Sequence, residues 1–379
     1  MTPFDPETTT FLIAGPVRIH PRVLRAMSMS SLNHRGDFFH GIVAEIRELL
    51  PVLFGAKGHQ VVLTGSGTAG LESVYSSLVP RDARTLVVTN GNFGERTDQI
   101  VRRYSSTVTT VSAAWGEPLP VAGVRAELDK GDVKAVCVVH NETSVGLVND
   151  LAAIAPAVRA SGALFLVDGI SAVAGIPLPI ETWGVDAVVA GSQKGLAAPA
   201  GLALVHLSDR AVAALRPGTF YLDLAAHLKS LEKNDTPWTP AVPLFLALRE
   251  ALLLLREEGL EARLARTHRL AEAARSAVDA LGLELFPDRR FASDTVTAVQ
   301  NPDGMGDAEL RKVLERQYNV LVQGGQGSLT GRIFRIGHMG IADWPDLLVT
   351  FAALERVLAK AGRGREPASA LRAIVERMP

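Results

Sequence analysis

The sequence predicts an α/β fold: a large domain on a mostly parallel seven-stranded sheet covered by helices, then a smaller α+β C-terminal domain. Three observations predict it. Seven short runs of aliphatic and β-branched residues recur between residues 60 and 206, several of them separated by helical patterns. Most of those runs are largely apolar, which marks strands buried on both faces rather than half-exposed ones. The 379 residues also exceed what one hydrophobic core holds.

Taken in order, residues 1–20 show no regular period and read as an irregular N-terminal arm. The large domain is expected over 21–243, with strands at 60–63, 85–89, 107–111, 135–139, 164–167, 187–190 and 202–206. Helical patterns at 69–78, 96–103 and 151–160 lie between them. From 244 to 281 one long connecting helix is expected, with Glu–Arg patterns on its exposed side. The small domain completes the chain to 379, with β-like segments at 296–299 and 333–336 and helices at 308–317 and 347–361.

Composition narrows the function. Lys plus Arg (39) nearly balance Asp plus Glu (40), which argues against nucleic acid or an anionic membrane as partner. No His-Glu-x-x-His or similar metal-ligand spacing occurs. The longest apolar stretch, residues 251–255, is too short to span a bilayer. Residues Met1 to Pro6 lack the basic and apolar regions of a signal peptide, so a cytoplasmic location is expected. The single cysteine, Cys137, cannot form a disulfide within the chain and reads as a buried strand residue.

Three segments carry chemistry. Gly65-Ser66-Gly67-Thr68-Ala69-Gly70 follows a strand and opens a helix. It matches the dinucleotide pattern G-x-G-x-x-G, but the next strand ends Val88-Thr89-Asn90 without the acid that holds a ribose. A cup for a single phosphate and a plain structural turn are the other readings. Asp168 ends a buried strand, where a carboxylate needs a partner or caps a helix. Lys194, in Gly191-Ser192-Gln193-Lys194-Gly195, sits between a strand and a small-residue return. Partial burial there lowers an amine's pKa and suits it to Schiff-base chemistry.

The strand-end Asp168, then Gly191-Ser192-Gln193-Lys194, then the small-residue loop resemble the class V aminotransferases of the fold-type I pyridoxal 5'-phosphate (PLP) enzymes. The likeness is closest to serine–pyruvate and alanine–glyoxylate aminotransferases. It runs from Ala14-Gly15-Pro16 to Arg335-Ile336-Gly337.

The resemblance implies PLP held on Lys194 as a Schiff base, with Asp168 against the pyridinium nitrogen. It implies a phosphate held by Ser66, Gly67 and Thr68, with Gln193 near it and Ile170 also in the cofactor site. Phe93 would stack on the ring, or else pack in the core. Thr143 or Ser144 would approach the phenolic oxygen. Arg335 and Gly15 would bind substrate, Arg335 taking the α-carboxylate. Thr239 would reach the phosphate of a second subunit, so a homodimer is implied.

The reaction implied is transfer of an amino group between serine, alanine or aspartate and pyruvate, glyoxylate or 2-oxoglutarate. Another PLP activity such as a lyase, or a non-catalytic relative used for binding, is the alternative. A cysteine desulfurase is disfavoured because Cys137 sits in a strand rather than a mobile loop. Arg35, in His34-Arg35-Gly36, is either an exposed loop residue or a second cation that enters the site and favours a distal acid.

Overall fold

A computed structural model describes residues 8–29 and 31–379, apart from the side chains of 307 and 308. The segment Met1 to Pro6 lies outside the described residues. The strands in chain order are β1 (Thr10–Leu12), β2 (His59–Thr64), β3 (Arg84–Thr89), β4 (Val108–Ser112), β5 (Val133–Val139), β6 (Asn141–Glu142) and β7 (Leu147–Val148). Then follow β8 (Leu164–Asp168), β9 (Ala187–Gly191), β10 (Leu202–Leu207), β11 (Val296–Gln300), β12 (Val320–Gly324) and β13 (Ile333–Gly337).

All seven runs expected in the large sheet form it, in the order β2-β10-β9-β8-β5-β3-β4. Every pairing is parallel except those of β10, which is antiparallel to both neighbours. Strand β5 shows why the sequence carried no polar alternation. Val136 and Val138 pack into one core and Ala135 and Cys137 into another on the opposite face. Cys137 is fully buried there, and burial pushes its thiol well above the ordinary range. The strands β2, β3, β5, β8 and β9 run the same way, so their carboxyl ends share one edge of the sheet. The segments after them meet at that edge.

The second sheet has the order β1-β12-β13-β11 and its own core, with Leu270, Phe334, Phe351 and Leu354 among its buried members. Here the structure corrects two expectations. Within the arm, Thr10–Leu12 is a strand paired in parallel with β12 rather than irregular chain. Leu12 is buried in the small sheet's core, and that burial stabilises so short a strand. The connecting helix is two helices, Val242–Glu258 and Leu260–Ala280. Gly259 breaks it at φ 85°, ψ 138°, a conformation that glycine adopts without steric cost. Glu258 then binds Arg263 (2.5 Å) and Arg266 (2.8 Å) across the break. Arg263 Nη1 also donates to the carbonyl of Gly195 (2.8 Å), the residue after Lys194. No helix among the described residues is long and apolar enough to cross a membrane.

Candidate active site

The strand ends enclose a cavity of about 220 Å³ whose wall includes Lys194, Asp168, Thr68 and Phe93. Ser66 follows β2 and stands at the N-cap of the helix Gly67–Leu78, but its side chain makes no capping bond. Its hydroxyl and the unpaired N–H groups of the first turn therefore face the cavity available to an anion. The absence of a Cβ at Gly67 lets Ile170 pack closely on it; a Cβ there would lie 2.7 Å from Ile170 Cδ1.

Asp168 is buried at the end of β8, and its Oδ1 accepts from Ile170 N (2.9 Å). Burial pushes its carboxyl up to about 7; the Ile170 bond, Arg96 and Lys194 pull it back, while Glu142 adds to the rise. Lys194 is also buried, with Nζ donating to the carbonyl of Ala14 (2.5 Å). Burial lowers its amine to about 8; Arg335 and Arg96 push the same way and Asp168 opposes them. Gly15 presses on this side chain. It has φ +92°, and a Cβ there would lie 2.5 Å from Lys194 Cδ. The buried amide oxygens Oε1 of Gln193 and Gln326, both residues of the cavity wall, have no hydrogen-bond partner among the described residues.

Phe93 lies in the first turn of the helix Asn92–Tyr104, which begins just after β3. The guanidinium of Arg96, one turn on, sits 4.9 Å from the Phe93 ring centroid. The backbone of that turn is tied to Glu142: Phe93 N (3.1 Å) and Gly94 N (2.9 Å) donate to Oε2. Thr143 lines the cavity, and its hydroxyl meets Ser171 Oγ.

Arg335, on β13, is almost fully buried. Its Nη1 donates to Thr143 O (2.8 Å), while Nε (3.1 Å) and Nη2 (2.7 Å) donate to Gly324 O. Burial lowers its guanidinium to about 10, with Glu142 opposing and Arg311 adding to the fall.

The structure thus brings Gly15, Ser66, Gly67, Thr68, Phe93, Thr143, Asp168, Ile170, Gln193 and Lys194 to one cavity. Arg335 stands behind Thr143 rather than in the wall. Ser144 is also set back, its hydroxyl donating to Glu142 and accepting from Asn92 N. Thr239 is exposed and lies outside the cavity.

Arg35 does not enter this cavity from its own chain. It is exposed, and Nη1 donates to Asp235 Oδ1 (2.6 Å) and Thr236 O (2.5 Å). A carboxylate at 235, distant in sequence, holds it on the surface. Arg96, Glu142 and Gln326 were not assigned roles from sequence. The Phe93–Arg96 spacing of i, i+3 was a usable signal, because it puts both side chains on one helix face.

The family model described as aminotransferase class V matches residues 22–339. An uncharacterized aminotransferase of Methanocaldococcus jannaschii is 40% identical over 94% of each chain. A serine–glyoxylate aminotransferase of Methylorubrum extorquens is 34% identical, covering 97% of this chain and 95% of that one. The crystal structure of ureidoglycine–glyoxylate aminotransferase from Bacillus subtilis superposes with a TM-score of 0.91 at 32% identity, covering 97% of both chains.

Proposed function

Because the chain belongs to the class V aminotransferase family and is a PLP-dependent transaminase, we propose that it moves the amino group of a small amino acid onto glyoxylate, with Lys194 and Asp168 as its catalytic residues. The observation that carries the assignment is a buried amine lowered to about 8 in one cavity with a buried carboxylate.

The residues present fit the cofactor. Ser66, Gly67 and Thr68 offer a helix N-terminus to a phosphate. The NH2 of Gln193, a residue of the same cavity wall, can donate to the phosphate oxygens. Ile170 packs over Gly67 at the floor, and Phe93 offers a ring face. When bound, PLP supplies an electron-poor ring that spreads the charge left on the substrate's α-carbon. Lys194 Nζ is neutral above about pH 8, so it serves as nucleophile and as carrier of the α-proton. Asp168 holds the proton on the ring nitrogen. Thr143 lines the cavity while the Ser144 hydroxyl is tied to Glu142, which favours Thr143 over Ser144 for the phenolic oxygen.

Arg335 suits the substrate α-carboxylate. Three of its five N–H groups are used, one on each nitrogen, leaving one on Nη1 and one on Nη2. That pair matches the two oxygens of a carboxylate, and no carboxylate pairs with Arg335 among the described residues. Gly15 lines the same cavity, where the absence of a Cβ lets its backbone lie against Lys194. Serine, alanine and aspartate are the donors to compare, with glyoxylate, pyruvate and 2-oxoglutarate as acceptors. Glyoxylate should give the highest kcat/KM, by roughly tenfold or more over the other acceptors. Equal rates with all three acceptors would remove glyoxylate from the proposal.

The reading includes a homodimer. Phe220 is 80% exposed, stacked 4.6 Å from Trp238, and Trp238 Nε1 donates to Tyr221 O beside Thr239. Such an exposed aromatic patch marks an interaction face, and a second copy would bring Thr239 to its neighbour's phosphate cup. Sedimentation over a dilution series should show a dimer, with PLP affinity falling where it separates; a monomer of full activity would contradict this. The large domain at 21–243, the small domain at 244–379 and a cytoplasmic location, suited to one buried thiol, belong to the same reading.

A further inference from the structure

Glu142 is fully buried at the end of β6, and four donors converge on its carboxylate. These are Phe93 N (3.1 Å), Gly94 N (2.9 Å), Ser144 N (3.2 Å) and Ser144 Oγ (2.5 Å). Burial pushes the carboxyl up, while these four bonds favour its charged form. The carboxyl stands at the positive end of the helix Asn92–Tyr104, which favours a hydrogen-bond acceptor there.

The surroundings are built around it. Asn92 N donates to Ser144 Oγ (3.0 Å), so three successive N–H groups of the helix's first turn are tied to residues 142–144. Gly91 clears the space: a Cβ there would lie 2.5 Å from Glu142 Cδ. The neighbouring carbonyl, Thr143 O, accepts from Arg335 Nη1. Asn141 Nδ2, on the other side, donates to Thr295 Oγ1 (2.8 Å) near the small sheet. One short segment thus holds the helix that carries Phe93 at one end and the guanidinium of Arg335 at the other.

We propose that Glu142 is a positioning residue that locks the Phe93 ring and the Arg335 guanidinium into one frame, so that ring and substrate carboxylate are held in register. The inference rests on the transaminase reading. It is tested on holoenzyme with Glu142→Gln, which keeps the shape. Its NH2 must face N–H donors and so loses the bonds on one side. Cofactor affinity should fall roughly tenfold and the visible absorption band should shift. The kcat should drop about ten- to a hundredfold and the KM for the amino donor should rise.

A variant with a lower Tm but a wild-type band, affinity and kcat would overturn the proposal. If Glu142→Gln does not fold, Ser144→Ala decides. A smaller shift of band and kcat in the same direction supports the frame, and wild-type values overturn it. Wild-type holoenzyme that fails to transaminate would instead refute the parent reading, whatever the variants do.

Discussion

Lys194→Ala should lose transamination by roughly a thousandfold or more, because one substitution removes both the nucleophile and the proton carrier. The protein should still fold and still take up PLP without a covalent bond, since the phosphate cup of Ser66, Gly67 and Thr68 is untouched. Small primary amines added to the variant should restore part of the activity. The wild-type lysine adds a pH signature. Burial disfavours the ammonium form and lowers the amine from 10.5 to about 8. At pH 8 about half the lysines are then neutral, against about 0.3% for an ordinary lysine. Covalent PLP uptake by apoprotein should rise roughly fiftyfold from pH 6 to pH 8 and level off above pH 9. A rate that keeps climbing tenfold per unit to pH 10 would show an ordinary, exposed lysine.

Asp168→Asn should lower kcat by about a hundred- to ten-thousandfold while the protein folds, since Asn keeps the shape and its Oδ1 can still accept from Ile170 N. A neutral amide cannot hold a proton on the ring nitrogen. The stability effect has the opposite sign. In apoprotein the Asp168 carboxyl sits at about 7, above its ordinary 3.8, so the folded state binds a proton that the unfolded chain releases between those values. Stability therefore falls as pH rises through that window, and the deficit is complete above pH 7. Apoprotein carrying Asp168→Asn escapes it and should be more stable than wild type at pH 8, by on the order of 4 kcal/mol. Near wild-type turnover in this variant would make Asp168 a structural residue only.

The large sheet was legible because its central strands are buried on both faces. Runs such as 135–139 then read as unbroken apolar stretches with few alternative structures. The cavity was legible for a related reason. Asp168 ends a strand and Ser66 and Lys194 each follow one, and parallel strands deliver such residues to one edge.

What the sequence hid was set by distant partners. Strand β1 is three residues long and exists because β12 pairs with it and the small sheet's core buries Leu12. The break at Gly259 looked like one tolerated glycine in a helical pattern, and the Glu258–Arg263–Arg266 contacts that brace it mimic helix-surface pairs. Arg35 read either as an exposed loop residue or as a second cation for the site. Its anion is Asp235, two hundred residues on, and nothing local announced that. Glu142 was given no role from sequence. Only the fold shows the backbone N–H groups of Phe93 and Gly94 aimed at it.

The central claim is that Lys194 holds the cofactor in a cavity built for it. The most direct test is borohydride reduction of the holoenzyme, followed by digestion and mass analysis of the cofactor-bearing peptide. The predicted result is a single modified peptide with the added mass on Lys194, absent when the enzyme is first incubated with amino donor alone. Modification of another lysine, or none after reconstitution with PLP, would contradict the account.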